Sequence, residues 1–210
     1  MFENRQDAGR QLGRHLAEMG LTASVVLGLP RGGVPVAAEV AAWLHLPLDV
    51  IVVRKLGLPW QPEVAMGAIG EDGVRILDAE LVRMAGVTPA QIDLVEQRER
   101  ETLRERVARI RENRPRLDLA GRTVLLVDDG IATGATATAA CAVARGLGAA
   151  RVIVAAPVGG PDAAIRVNGA DQVVCLTSPA GFRAVGEQYR HFDQTTDAEV
   201  ATCLAAAVRP

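Results

Sequence analysis

An apolar stretch that ends in two acids and a loop of small residues constrains the fold of this chain most strongly. Residues 124–136 read Val-Leu-Leu-Val-Asp-Asp-Gly-Ile-Ala-Thr-Gly-Ala-Thr. The aliphatic part predicts a buried strand that carries Asp128 and Asp129 to the edge of a sheet. The small residues predict a tight turn into a helix, whose first backbone N–H groups are unpaired and attract anions. The run therefore predicts a site for a phosphate and the sugar attached to it.

The side chains of this loop suit such a ligand. Gly134 and Ala135 are small enough to let a phosphate approach the backbone closely. The hydroxyls of Thr133 and Thr136 can donate hydrogen bonds to phosphate oxygens. The two acids offer carboxylate oxygens, which accept hydrogen bonds from sugar hydroxyls and are ligands that Mg2+ prefers.

Two other interpretations of the run are weaker. An ordinary buried strand, turn and helix cap would give a similar pattern without any ligand. A dinucleotide site of the Rossmann type needs a Gly-x-Gly-x-x-Gly turn, which this sequence lacks, and places its acid well after the glycines. The phosphate-and-sugar interpretation is therefore favoured.

Two further loops place cations near this site. The segment Gly28-Leu29-Pro30-Arg31-Gly32-Gly33 follows a predicted strand, and Arg31 in it can pair bidentately with a pyrophosphate. Gly32 and Gly33 leave backbone amides free to point at the same anion. Alone, such a turn is often only a tight connection. At the end of the next predicted strand, Arg54 and Lys55 bring two more cations to the same edge, although strand ends often carry such residues for solubility.

Apolar runs that alternate with helical stretches predict an α/β fold, in which a central, mainly parallel sheet is flanked by helices on both faces. The chain of 210 residues suits a single domain over 1–210. The predicted helices span 5–19, 33–44, 135–147 and 161–168, and the predicted strands span 24–29, 48–53, 122–128, 151–156 and 172–176. Because ligands of such sheets lie beyond the carboxyl ends of the strands, the three loops above share one edge.

A long excursion, residues 56–121, interrupts this alternation. Residues 62–76 predict a β-hairpin that turns at Asp72-Gly73, a favourable type I′ pair, and such a hairpin is typical of a lid. From Thr88 a helical insertion begins with a capping residue and a proline, and ends before Pro115. Its arginines alternate with glutamates, which favours a solvated helix face over an RNA-binding arm.

Composition excludes several classes of protein. A net charge of −2 argues against a general nucleic-acid or membrane surface. The N-terminus shows no apolar core of a signal peptide, and no apolar run is long enough to span a bilayer, so the expected location is the cytoplasm. Three cysteines and three histidines are scattered without ligand spacing, so we expect structural roles for them.

The 124–136 run resembles the phosphoribosyl pyrophosphate (PRPP) signature of the type I phosphoribosyltransferase family, which consists of aliphatics, two acids, two variable residues, a small residue and Thr-Gly-x-Thr. The resemblance implies transfer of the 5-phosphoribosyl group of PRPP to a nitrogen acceptor, with Mg2+ as cofactor and release of pyrophosphate. It implies catalytic roles for Asp128, Asp129, Lys55 and Arg31, of which the two acids also bind the metal. It assigns the 5′-phosphate to Ala132, Thr133, Gly134, Ala135 and Thr136, and the pyrophosphate to Arg31, Gly32, Gly33, Arg54 and Lys55.

The local likeness is greatest to adenine phosphoribosyltransferases, in which an Arg-Lys pair also follows the second strand. Ala132 stands where family members that act on hypoxanthine or guanine carry a carboxylate, so a mechanism assisted by those bases is doubtful. In this family the C-terminal segment, here 176–210, often forms a small hood over the acceptor. The aromatic residues Phe182, Tyr189 and Phe192 in it could stack on a nucleobase or related amine, or could merely fix the segment to the sheet.

Two questions stay open at this level. A non-catalytic regulatory protein that only senses PRPP would retain the same loop, although the chain has no helix-turn-helix signal and keeps both Arg31 and Lys55. The resemblance also allows a homodimer, for which no interface is visible in the sequence. The expected partners are PRPP and a small nitrogen-containing acceptor, with no nucleic acid and no membrane.

Overall fold

The computed structural model describes residues 1–112 and 114–207, which form two β-sheets and the helices around them. The strands are β1 (Val25–Gly28), β2 (Leu48–Val50), β3 (Val53–Leu58), β4 (Gln61–Gly70), β5 (Arg75–Leu77), β6 (Thr123–Val127), β7 (Arg151–Val158) and β8 (Gln172–Thr177). The helices are α1 (Arg5–Glu18), α2 (Gly33–Leu44), α3 (Ala79–Ala85), α4 (Pro89–Arg111), α5 (Ala135–Gly146), α6 (Ala163–Arg166) and α7 (Asp197–Ala206), with a 3-10 turn at Val185–Gln188.

The larger sheet has five strands in the order β2-β1-β6-β7-β8, and every neighbouring pair is parallel. Alternate residues of each strand point to opposite faces of the sheet. Val26 and Leu125 belong to a core shared with α1 and α2, whereas Val124 and Leu126 belong to a second core shared with α5. Helices thus cover both faces, which confirms the predicted α/β fold.

The smaller sheet is antiparallel, in the order β3-β4-β5, and comes from the long excursion. β4 and β5 meet at the predicted turn, where Asp72 has φ 54° and Gly73 has φ 78°. Both central residues of a type I′ turn need positive φ, so the predicted Asp-Gly turn is confirmed. A second turn at Pro59-Trp60 joins β3 to β4 and was not predicted.

The strand predicted for 48–53 is wrong in its second half. β2 ends at Val50, and Arg54 and Lys55 lie inside β3 of the smaller sheet rather than at the end of the parallel strand. The apolar run is continuous across this point, so periodicity alone could not separate the two strands.

Capping side chains define the ends of several helices. Thr88 caps α4 and Pro89 takes its first helical position, as predicted, and Gln91 completes a reciprocal capping box with Thr88. Thr196 and Glu199 form the same box at α7, and Asn4 caps α1. α3 and α7 were not predicted, and α6 is shorter than the helix expected at 161–168.

A buried ion network fastens the excursion to the larger sheet. Arg111 at the end of α4 is 6% exposed and donates to Asp49 of β2 at 2.8 Å and to Glu71, just after β4, at 2.5 and 2.9 Å. The second carboxylate oxygen of Asp49 accepts a hydrogen bond from the backbone N–H of Leu117. Because the charges are paired and hydrogen-bonded, α4 and the base of the β4–β5 hairpin are held in one position.

None of the helices in the described parts of the chain is long and apolar enough to cross a membrane.

Candidate active site

The first loop and the acidic loop are packed directly against each other. A Cβ on Gly33 would lie 2.6 Å from the carbonyl oxygen of Val127 and 2.8 Å from Cα of Asp128, and one on Gly32 would overlap Oδ2 of Asp129. Only glycine therefore allows this approach of the loop after β1 to the loop after β6. The structure thus brings together two of the three loops that the sequence singled out. In the first of these loops, the peptide bond between Pro30 and Arg31 is cis.

The two acids are in an environment that disfavours two negative charges. Burial, together with the neighbouring charge of Asp129, raises the pKa of Asp128 to about 8. Burial also raises the pKa of Asp129, although its hydrogen bond with Arg5 acts in the opposite direction. The backbone N–H of Asp129 donates to Oδ1 of Asp128 at 2.9 Å. A cation or hydrogen-bond donor placed here would be stabilised by the pair.

Residues from both ends of the chain hold Asp129. Nε of Arg5 on α1 donates to Oδ2 of Asp129 at 2.9 Å, and its Nη1 donates to the carbonyl oxygen of Asp193 at 2.6 Å. The hydroxyl of Tyr189 donates to the backbone carbonyl of Asp129 at 2.6 Å. The guanidinium of Arg5 also lies 4.0 Å from the ring centre of Phe192, a cation–π contact. Both the side chain and the backbone of Asp129 are thereby fixed.

The predicted phosphate loop forms the start of α5. Gly134 is its N-cap with φ 76°, a left-handed conformation that favours glycine, and no side chain caps the helix. Thr133, Thr136 and Ala132 are exposed, and Ala135 is partly exposed. The backbone N–H groups at this helix start can thus reach an anion from solvent.

One cavity of about 470 Å3 reaches a residue of each of the three predicted loops, but Arg31, Asp128, Asp129 and residues 132–135 are not among its lining residues. Pro30 of the first loop, Lys55 of β3 and Thr136 at the start of α5 line it. Arg106 of α4 lies on its wall, and so does Arg54. Arg54 and Lys55 belong to β3 of the smaller sheet and not to the end of β2, yet both still line the cavity.

Arg54 is engaged in an ion pair. Its Nε and Nη2 lie 2.7 and 2.6 Å from Oε2 of Glu99 on α4. This contact joins α4 to β3, so Arg54 would have to share its guanidinium with any bound pyrophosphate. Lys55 is exposed, and no carboxylate of a described residue lies within 4.0 Å of its ammonium group.

The three aromatic residues expected at the acceptor differ in their surroundings. Tyr189 is 5% exposed, contacts the rings of Phe2 and Phe192, and uses its hydroxyl on Asp129, so it supports the acidic loop rather than offering a free face. Phe192 is 36% exposed and is covered in part by Arg5 and Tyr189. Phe182 is half-buried beside Gly160. Acceptor binding by these residues stays a prediction, with Phe182 the least engaged of the three.

The unusual Gly130 after the acidic pair has a steric explanation. A Cβ at this position would lie 2.5 Å from Cγ1 of Val185, in the C-terminal segment. A small residue is therefore required here because the C-terminal segment packs against the acidic loop.

Sequence reasoning missed two residues of the site. Arg5 lies 124 positions before its partner Asp129, and nothing in its local sequence marks it. Arg106 looked like one of many surface arginines of the insertion, yet it donates to the carbonyl oxygen of Pro30 at 3.0 Å. Its position on the apolar side of α4, three residues after Leu103 and four before Ile110, was the available signal.

The carboxylates suit a divalent cation only together with other ligands. Within residues 1–112 and 114–207, no group of three or more His, Cys, Asp or Glu side chains could hold a metal ion. Mg2+ is often bound by one or two carboxylates and completed by substrate phosphates and water. The donor set of Asp128 and Asp129 therefore fits a cation that arrives with a phosphorylated ligand.

Comparison with known proteins gives consistent matches. A family model described as a phosphoribosyl transferase domain matches residues 4–190. A Mycobacterium tuberculosis protein named "Putative phosphoribosyl transferase" is 56% identical over 210 residues, which is 100% of this chain and 47% of that protein. This chain thus spans about half the length of the curated relatives it matches.

One solved structure matches the fold of this chain closely. The crystal structure of a Thermus thermophilus protein, TT1426, is 45% identical, has a TM-score of 0.90, and matches 97% of each chain. An adenine phosphoribosyltransferase from Thermoanaerobacter pseudethanolicus is 18% identical with a TM-score of 0.42, covering 79% of this chain and 75% of that one. The second likeness is too low to bear on the acceptor.

Proposed function

The chain belongs to the phosphoribosyltransferase family, and we propose that it transfers the 5-phosphoribosyl group of PRPP to a nitrogen acceptor with release of pyrophosphate. The acceptor would be a nucleobase or a related amine. The observation that carries the proposal is the cavity lined by Pro30, Lys55 and Thr136, because it lies beside the loop that precedes Arg31, an exposed cation and the first turn of α5. PRPP carries anionic groups at both ends of its ribose, and Arg54, Lys55 and Arg106 on the cavity wall would supply cations for one of them.

Each group of residues would have a distinct part in the reaction. The backbone N–H groups from Thr133 to Thr136 would hold the 5′-phosphate. Asp128 and Asp129 would accept hydrogen bonds from the ribose hydroxyls and stabilise the positive charge that builds on the ribose as the bond to pyrophosphate breaks. Arg31 and Lys55 would offset the charge of the departing pyrophosphate. Catalysis would be mainly positioning and electrostatics.

Mg2+ would supply charge neutralisation on the pyrophosphate when it is bound with PRPP. The residues that would hold it are Asp128 and Asp129, whose raised pKa values indicate a site where an added cation would be stabilised. Arg5 keeps Oδ2 of Asp129 occupied at 2.9 Å, so Asp128 has the less engaged carboxylate.

The antiparallel sheet would serve as the lid of this site. β3 and β4 project the exposed turn at Pro59-Trp60, and Pro59 lines the cavity. Closure over bound PRPP would exclude water, which otherwise hydrolyses the activated ribose. The C-terminal segment, which packs on the acidic loop through Val185 and Tyr189, would form the hood on the acceptor side.

The test of the donor site is the double substitution Asp128→Asn with Asp129→Asn. It removes both charges with almost no change in volume, so we expect the thermal unfolding midpoint to be kept or raised while Mg-dependent consumption of PRPP falls at least about a hundredfold. Unchanged turnover in the double variant would refute the assignment of the acids. The exposed carboxylate Asp118, changed to Asn, is the matched control and should retain full turnover.

An assay of pyrophosphate release separates an enzyme from a PRPP sensor. The wild-type chain is incubated with PRPP, Mg2+ and a panel of nucleobases and amines, and pyrophosphate is measured. The enzyme proposal expects release with at least one acceptor class and none without acceptor. Binding of PRPP without release for any acceptor would favour the regulatory alternative.

A further inference from the structure

The helical insertion brings a cation to the pyrophosphate loop. Arg106 on α4 donates a hydrogen bond of 3.0 Å to the carbonyl oxygen of Pro30, the residue before Arg31, although the two are 76 positions apart. Its side chain is half-buried and lines the 470 Å3 cavity. The family signature contains no residue of α4, so this contact belongs to the insertion.

Positive charge exceeds negative charge around this point. We define the arginine cluster as Arg31, Arg54, Arg106 and Arg109. Arg54 is paired with Glu99 at 2.6 Å, and Arg109 and Arg31 share Asp197 at 3.3 and 4.0 Å. No described carboxylate lies within 4.0 Å of Arg106. Four guanidinium groups thus face two carboxylates.

The surplus of positive charge disfavours the charged form of Arg106 in particular. Burial lowers the pKa of Arg106 from its ordinary value, the positive charge of Arg31 adds to the effect, and the negative charge of Asp197 offsets it only in part. Like charges held together at a half-buried position are unfavourable unless an anion compensates them. No carboxylate of the described residues lies within 4.0 Å of the Arg106 guanidinium to serve as that anion.

The geometry of the guanidinium indicates which anion fits. A guanidinium has five N–H donors in a planar fork, and Arg106 uses one hydrogen bond to a described acceptor, the Pro30 carbonyl. The remaining donors match two oxygens of one phosphoryl group, which arginine binds bidentately. Lys55 on the same cavity wall adds a further charge without a described partner.

We propose that Arg106 binds the pyrophosphate group of PRPP, so that the helical insertion completes the pyrophosphate side of the site. The inference rests on the proposed function and extends it to a residue outside the PRPP signature. The bond to Pro30 fixes the guanidinium beside the Arg31 loop, and Arg31 and Arg106 then contact the anion from two sides.

The test compares three ligands on Arg106→Ala and wild-type protein by calorimetry: inorganic pyrophosphate with Mg2+, PRPP with Mg2+, and ribose 5-phosphate. The variant should bind pyrophosphate and PRPP at least about tenfold more weakly, where each tenfold is about 1.4 kcal/mol. Ribose 5-phosphate has the same sugar and 5′-phosphate but no pyrophosphate, so its affinity should not change. A merely structural role of Arg106 would weaken all three ligands together.

The matched control is Arg104→Ala, on the same helix. Arg104 is exposed and lines a different cavity with Gly70 and Asp72, so all three affinities should stay at the wild-type values. If Arg106→Ala does not fold, Arg106→Gln removes the charge while retaining an amide donor, and the same losses are expected.

Either of two outcomes would overturn this inference and leave the proposed function intact. One is wild-type affinity of the Arg106 variant for pyrophosphate, and the other is an equal loss of affinity for ribose 5-phosphate. A wild-type chain that binds neither pyrophosphate nor PRPP would overturn the proposed function, and this inference with it.

Discussion

At the scale of single residues, Gly32 shows how closely the site is packed. Its φ of −61° and ψ of −33° are helical values that any residue adopts, so the backbone does not require glycine. The requirement comes from Oδ2 of Asp129, which a Cβ would overlap. Arg5 and Tyr189 hold the side chain and the carbonyl of Asp129, so the carboxylate can make room for a Cβ only by giving up its present position against Arg5.

Gly32→Ala is therefore expected to displace the Asp129 carboxylate while leaving the fold intact. The catalytic rate should fall by about tenfold to a hundredfold, since a shift of about 1 Å in a positioned group has that effect. Steady-state consumption of PRPP and the thermal unfolding midpoint measure the two quantities. Gly181→Ala is the control, because a Cβ at Gly181 meets no atom within 4 Å. Wild-type turnover of Gly32→Ala would contradict the close packing.

The limits of sequence reasoning are also visible at this scale. Asp129 could be identified because its neighbours Thr133 and Gly134 are local in sequence and carry a recognisable pattern. Arg5 could not, because an ion pair across 124 positions leaves no local trace in one sequence. For Tyr189 the sequence left two roles open, stacking on an acceptor or fixing the C-terminal segment, because its 5% exposure depends on the packing of Phe2 and Phe192 around it.

At the scale of elements, helix ends were predicted both with a side-chain cap, as at α4, and without one, as at α2. α4 begins after Thr88 as expected, and α2 begins at Gly33 and ends at Leu44, as predicted. The break between β2 and β3 was missed because both strands are apolar and two residues separate them. α7 was missed because its capping box at Thr196 lies in a segment that was expected to be a hood.

The antiparallel sheet combines a fixed base with an exposed tip. The fixed base lies at the Asp72-Gly73 turn of the hairpin predicted as a lid over 62–76, so we expect the mobile end of the lid at the β3–β4 turn instead. The ion network of Arg111 with Asp49 and Glu71 holds the base, and Gly70 packs against Val143 of α5. The tip at Pro59-Trp60 is exposed, with Trp60 at 56%. Motion is therefore expected at the β3–β4 end and not at the β4–β5 turn.

Limited proteolysis with chymotrypsin tests this expectation, because the enzyme cleaves after exposed aromatic residues such as Trp60. Cleavage within 57–75 should slow at least about fivefold when PRPP and Mg2+ are present, as closure buries the tip. The variant with Asp128→Asn and Asp129→Asn should show no such protection, since it lacks the proposed donor site. Equal cleavage of the wild-type chain with and without PRPP would count against closure.

At the scale of the whole molecule, the site lies where two buried cores meet at the end of β6. Alternate residues of that strand belong to opposite cores, and Asp128 follows directly after the last of them. The larger sheet thus carries a carboxyl group into a poorly solvated position, which burial and the Asp129 charge penalise when it is ionised. Stability and function are therefore in conflict at this residue.

The raised pKa of Asp128 determines how the free energy of unfolding changes with pH. The folded pKa of Asp128 is about 8, above the ordinary value of 3.8, so the folded state binds more protons between these values. Stability is then lost as pH rises through this window, by at most about 1.4 kcal/mol per pH unit for one proton. Asp171 has the opposite shift, because the backbone N–H of Val152 lowers its pKa, so its contribution is lost only as pH falls into the acid range.

Urea unfolding of the metal-free chain in EDTA at about pH 6 and about pH 8 measures the effect. The wild-type free energy of unfolding should be lower at the higher pH, and Asp128→Asn should remove most of the difference and stabilise the chain at the higher pH. Asp171→Asn, the control of opposite sign, should keep the wild-type difference between the two pH values. An equal loss of stability in wild type and Asp128→Asn would show that the carboxyl group after β6 is as well solvated in the folded chain as in the unfolded one.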